Sequence, residues 1–348
     1  MHNGYEAISA KLKAMHALRL TEEDYDKLLM KRTVNEICGY LKNSNPYGRV
    51  LEAVDDRTIH RGNLERILNE AVYQQYMRLY RFMNKEQRDI LKFWLMRKEM
   101  DYLKEKLRFV LNREEREDHR NYDDFFRKHT ELDLDGLEKA RDFTAFVQCC
   151  QGTIYYKILK TAEKLKSDFF SIGMMLDRAY YMLLWRAASK LDQSERPVFE
   201  QLVGAKIDLL NIMWIYRGKK YFGFKNEIIY TYLIPVHYRL TPEDIKGMVE
   251  CEDAQRIPLM IKKAGYARLF ENVDGDFFIE ENERLMEKLR AKRIFVNYPK
   301  TMAAVFAYLS LKEFETHNII MITEGVRYNL DPNRLRDHIK RDSFQEGM

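Results

Sequence analysis

Trp94–Lys104 (WLMRKEMDYLK), Gln201–Asn211 (QLVGAKIDLLN) and Tyr308–Asn318 (YLSLKEFETHN) align without a gap, and an acid recurs in them at Asp101, Asp208 and Glu315, 107 residues apart each time. Leu95, Leu202 and Leu309 keep the register, as do Met100, Ile207 and Phe314, and then Leu107, Trp214 and Met321. In the first copy Phe93, Met96, Met100, Leu103, Leu107 and Val110 step by three and four residues, which puts all six on one stripe of an α-helix. The second copy keeps Val203, Ile207, Leu210 and Trp214, whereas the third sets Ser310 and His317 around Phe314. The three acids read as salt-bridging groups, because Lys98, Lys104 and Lys312 lie within about one helical turn of their positions. His317, alone on its helical face, reads as a rim residue.

A second marker keeps nearly the same period. Tyr47 with Leu51, Tyr155 with Leu159, and Tyr266 with Phe270 each follow a short polar turn, at spacings of 108 and 111 residues. Upstream of each lies a helix start: Leu20-Thr21-Glu22-Glu23-Asp24, Leu132-Asp133-Leu134-Asp135 and Leu240-Thr241-Pro242-Glu243-Asp244. Each offers a Thr or Asp cap and acids in the first turn, facing the positive end of the helix dipole, and Pro242 suits a first helical position. Two markers sharing one period imply three copies of a small helical domain. These units are much longer than the roughly 20–50 residues of a solenoid repeat. The expected division is 1–113, 114–223 and 224–348. The charge-dense stretch 111–131 is read as an exposed connection, and 218–239, rich in aromatic and β-branched residues, as the joint before the third unit.

Composition supports an all-α chain. Of 348 residues, 46% are hydrophobic and 32% charged, while Gly 15 and Pro 7 leave the chain poor in turn formers. The most apolar stretches, Tyr180–Trp185 and Ala303–Leu309, fall far short of the ~20 residues a bilayer helix needs. The N-terminal stretch has no apolar signal core, so a cytoplasmic location is expected. A net charge of +5 from 59 basic and 54 acidic residues is too balanced to indicate nucleic acid. The short clusters Lys288–Arg293 and Arg217–Lys220 read as solvated helix faces. Cys38, Cys149, Cys150 and Cys251 form no CxxC pair and read as reduced core thiols.

The chemistry-bearing motifs are missing. The eight histidines include no HExxH, no i,i+4 pair and no Glu-x-x-His element. Arg217-Gly218-Lys219-Lys220 lacks the first glycine and the hydroxyl residue of a phosphate loop, and neither GxGxxG nor GxSxG occurs. The chain reads as a non-enzyme with no catalytic residue, cofactor or metal.

The C-terminal stretch Tyr308–Ile339 resembles the C-type (AC39-like) subunit of the archaeal and bacterial A/V-type ATPases, the counterpart of the d-type subunit of the eukaryotic vacuolar proton pump. The resemblance is carried by Tyr308, Lys312-Glu313-Phe314-Glu315, Asn318-Ile319, Ile322, Gly325 and Leu330–Arg336, and by Leu20–Tyr25 with Tyr47, Gly48 and Leu51 near the N-terminus. One departure is Ile320, where the family commonly has arginine. The resemblance implies three similar helical domains in a pseudo-threefold funnel. It further implies a non-catalytic rotor subunit joining the central stalk (D- and F-type subunits) to the membrane proteolipid ring, on the cytoplasmic face, and passing torque between ATP chemistry and proton or sodium movement. A free-standing helical adaptor, or an all-α enzyme or RNA-binding protein with a scattered site, are the other readings the residues leave open.

Overall fold

The computed structural model describes residues 3–112, 124–271 and 276–343, and every regular element among them is helical, with no strand. Most of the expected connection at 111–131 lies outside the described residues. Within 218–239, where pattern does not separate strand from helix, the structure has the helix Asn226–Tyr232.

The helix starts follow from local chemistry. Thr21 and Asp24 form a capping box: the Thr21 hydroxyl accepts from the Asp24 N–H at 3.2 Å, and the Asp24 carboxylate accepts from the Thr21 N–H at 2.7 Å. Thr241 and Asp244 repeat it at 3.1 and 2.9 Å, with Pro242 in the first turn. Asp133 caps the Leu134–Lys139 helix through the Gly136 N–H at 2.9 Å.

Three helices are longest: Lys85–Asn112, Arg196–Lys220 and Met302–Arg327. They carry the three aligned stretches. Met302–Arg327 buries residues on every side, from Met302 through Phe306, Leu311, Ile319 and Ile322 to Gly325, so it runs through a core and does not merely lie on one. Arg196–Lys220 does the same from Val198 to Gly218.

The chain forms two compact units. The first comprises Met1–Arg88, Asp118–Lys128 and Glu287–Met348. Its core joins Leu28, Ile37, Leu41, Tyr47, Leu51, Leu64 and Leu68 to Ile319, Ile322 and Leu335, so the long helix near the C-terminus is the centre on which the N-terminal helices pack. The second unit comprises Asp89–Glu117 and His129–Met286. One of its core clusters joins Leu209, Ile212 and Tyr216 of Arg196–Lys220 to Leu240, Met248, Ile257, Tyr266 and Leu269. In both clusters a long helix packs on a leader and tyrosine turn that come from a different sequence copy. Burying each such aliphatic side chain contributes about 1.5–3 kcal/mol.

Candidate functional site: three buried tyrosine–carboxylate clasps

The markers meet in the cores. Tyr47, Tyr155 and Tyr266 are all buried, and each donates its hydroxyl proton to a buried carboxylate on a long helix. Tyr47 Oη lies 2.8 Å from Glu315 Oε1, Tyr155 Oη 2.7 Å from Glu99 Oε2, and Tyr266 Oη 2.7 Å from Asp208 Oδ2. The same carboxylates also grip the chain entering each capped helix. Glu315 Oε2 accepts from the Leu20 N–H at 3.0 Å, Glu99 Oε1 from the Glu131 N–H at 3.2 Å, and Asp208 Oδ2 from the Arg239 and Leu240 N–H groups at 2.8 and 3.3 Å. The leader leucines Leu20, Leu132 and Leu240 are buried, and the caps Thr21, Asp133 and Thr241 follow them directly.

The first clasp corrects the gap-free alignment. Its carboxylate belongs to Glu99, whereas Asp101 is exposed. Two positions along a helix turn a side chain by about 200°, so only one of the two acids can face the core. A signal was present in the sequence: Tyr102, Leu103 and Lys106 lie three, four and seven residues after Glu99, on its face, and all are buried.

The clasps differ in charge balance. Glu315 is fully buried and also accepts from Lys312 Nζ and from Arg19 Nε at 3.1 Å; Lys312 Nζ sits 4.0 Å from the Tyr47 ring centroid. Burial pushes the Glu315 carboxyl up, but Lys312 and Arg19 outweigh it and hold the group below its ordinary value. Burial lowers the Lys312 ammonium, with Glu315 opposing the shift. Tyr47 is pushed well above an ordinary phenol by burial and then by the Glu315 charge, so it stays protonated and donates. Glu99 takes a third bond from the Thr130 hydroxyl at 2.7 Å, and Tyr155 is raised by burial and by Glu99. Asp208 is raised by burial despite the Arg239 N–H and Tyr266 hydroxyl bonds, which favour its charge.

Asn318 is buried on the Glu315 helix, and Asn211, its counterpart 107 residues earlier, bonds both backbone groups of Ile234, at 3.0 and 2.9 Å. Gly325 lies against the C-terminal helix Pro332–Ser343, where an added Cβ would meet Leu335 Cδ1 at 2.3 Å. His317 is exposed, while Cys38 and Cys150 are buried and Cys149 and Cys251 half-buried.

These carboxylates are closed to solvent and held by hydroxyl, backbone and, at Glu315, cationic donors, so they are not presented to a substrate. What they can do is fasten a turn and a helix start to a long helix. Among the described residues, no group of three or more His, Cys, Asp or Glu is arranged to hold a metal ion, and no helix is long and apolar enough to cross a membrane.

The family model of the ATP synthase (C/AC39) subunit matches residues 8–338. The chain belongs to that family. Among its curated relatives, the A-type ATP synthase C-type subunit of Thermococcus kodakarensis is 21% identical over 347 residues, covering 96% of this chain and 90% of that protein. The protein of the same name from Methanocaldococcus jannaschii is 22% identical, covering 95% and 85%, and that from Archaeoglobus fulgidus is 25% identical, covering 93% and 92%. Membership of the ATP synthase (C/AC39) family thus rests on matches that are low in identity but extend over nearly the whole chain.

Proposed function

We propose that this chain is the non-catalytic rotor subunit of a V/A-type ATPase. It links the central stalk, through D- and F-type subunits, to the membrane proteolipid ring on the cytoplasmic face. There it transmits the torque that couples ATP hydrolysis or synthesis to proton or sodium transport. The family match from residue 8 to 338, to proteins named as C-type subunits of the A-type ATP synthase, carries this reading.

The clasps support it. Each carboxylate comes from one sequence copy and grips the leader and tyrosine of another: Glu99 holds Tyr155, Asp208 holds Tyr266, and Glu315 near the C-terminus holds Tyr47 near the N-terminus. In the proposed pseudo-threefold funnel of three helical bundles, these bonds would tie each sequence copy to the next. A torque-bearing part also needs stiffness more than chemistry, and buried charge-assisted bonds resist shear because breaking one strands a charge away from water.

The test is expression with stalk and ring partners. The chain should co-purify with both, and its deletion should leave ATP hydrolysis by the soluble head while abolishing ion pumping. Full coupling in its absence would reject the reading.

A further inference from the structure

The nine residues Arg217–Lys225 (RGKKYFGFK) carry four cations and no acid, and they form the end of the Arg196–Lys220 helix and the turn beyond it. Part of this charge serves the fold: Arg217 pairs with Glu280, and cations in a last turn oppose the helix dipole. The aromatic side chains pack on the fold only in part. Tyr221 is 52% exposed and Phe222 is also exposed. Phe222 is not loose, since it stacks on Phe170 at 4.3 Å between centroids and on Phe224 at 5.3 Å, with Gly223 at φ +57° making the reversal between the two rings. Lys220 Nζ stands 5.2 Å from the Tyr221 ring centroid and bonds the Tyr216 hydroxyl at 2.8 Å, and Lys219 bonds Asn226 Oδ1 at 3.2 Å. Lys225 is exposed, followed by exposed Glu227, Ile228 and Tyr230. A similar ending recurs 107 residues on: Tyr328, 63% exposed, ends the Met302–Arg327 helix with the Arg327 guanidinium 5.2 Å from its ring centroid, and Leu330 beside it is exposed.

We propose that the Arg217–Tyr230 end binds the anionic headgroups of a phospholipid surface, its rings seated in the interfacial zone and its lysines on the phosphates. The composition distinguishes this from a protein contact. Lysine is depleted at protein–protein interface cores, whereas exposed tyrosines mixed with Lys and Arg are what membrane–water interfaces select. A rigidly stacked ring also loses little entropy on insertion. The inference stands apart from the rotor reading, because it concerns what the isolated chain does at a lipid surface.

The experiment is co-sedimentation of the full chain with phosphatidylcholine vesicles, with and without phosphatidylglycerol. Binding is expected only to the phosphatidylglycerol vesicles and should weaken as salt is raised. Lys220→Gln/Lys225→Gln should weaken it roughly 30-fold, and Tyr221→Ser several-fold. Lys262→Gln/Lys263→Gln, an exposed pair elsewhere in the chain, should leave it unchanged. An unchanged urea midpoint confirms that each variant folds. Failure to bind either vesicle, as expected if the patch serves a protein partner, would overturn the proposal. So would equal binding to both vesicles, or binding that the tip variants leave unmoved.

Discussion

Tyr47 and Glu315 stand 268 positions apart in the chain and 2.8 Å apart in a core closed to water. The bond fixes a four-residue helix, Gly48–Leu51, and the entry to the Glu22–Leu29 helix against a single carboxylate. Its cost of removal is therefore a direct measure of what this clasp contributes.

Tyr47→Phe removes one charge-assisted hydrogen bond and should destabilise the chain by about 1.5–3 kcal/mol. Glu315→Leu leaves Lys312 and Arg19 without their buried counter-charge and should cost more, about 3–5 kcal/mol. The double variant Lys312→Met/Glu315→Leu should recover part of that loss. Urea denaturation of all three against the parent checks the order, and a Glu315→Leu midpoint no lower than that of Tyr47→Phe would contradict it.

In the first clasp, Glu99→Ala should cost about 2–4 kcal/mol, because it strands the Tyr155 and Thr130 hydroxyls. Asp101→Ala, two residues on, should stay within about 0.5 kcal/mol, as an exposed substitution does. Equal effects on the denaturation midpoint would mean that the carboxylate is misassigned.

The acids of the other two clasps should respond to pH with opposite sign. Glu315 is held below its ordinary value of 4.5, so the stability it contributes is present above that pH and is lost as pH falls through the folded value. Asp208 is held above its ordinary value of 3.8, so the fold gains from its protonation as pH falls, and that gain disappears as pH rises through the folded value. The parent's stability advantage over Glu315→Gln should therefore shrink on acidification below 4.5, and its advantage over Asp208→Asn should grow. Urea midpoints taken in half-unit steps from about pH 3.5 to 7 read both slopes, and parallel slopes would refute the assignment.

Gly325→Ala places a methyl group 2.3 Å from Leu335 Cδ1 and 3.0 Å from its Cγ, and Leu335 is buried with little room to turn. Overpacking of this kind costs about 1–3 kcal/mol, more than the roughly 1 kcal/mol by which alanine favours a helix over glycine. The Pro332–Ser343 helix should loosen first, seen as faster amide exchange there, and Leu335→Ala in the same chain should restore its protection.

Much of this was legible in the chain itself. The 3,4 spacing of Met100, Leu103 and Leu107 marks a helix because apolar periodicity survives divergence, and Thr21, Asp133 and Thr241 announce helix starts because capping is local chemistry. The tyrosines and acids stood out by spacing, but not as partners of one another. Tyr155 meets Glu99 across 56 residues, and no local pattern encodes which face of a long helix meets which turn. Asp101 keeps the 107-residue spacing, but the core selects by angle around the helix and takes Glu99. That the Leu28–Leu68 core closes on Ile319 and Ile322 is not written in any one stretch, since an amphipathic stripe shows that a partner exists and not where in the chain it lies.

The helix Met302–Arg327 at the centre of the Leu28–Leu68 core sets an order of events during synthesis. Until the ribosome has released it, the N-terminal helices have no surface on which to complete their interior, and their apolar faces must wait in water or with a chaperone. A product stopped short of residue 302 should thus be unable to form this unit at all. The helices from Glu22 to Tyr80 thus complete their interior only after the Met302–Arg327 segment has been made.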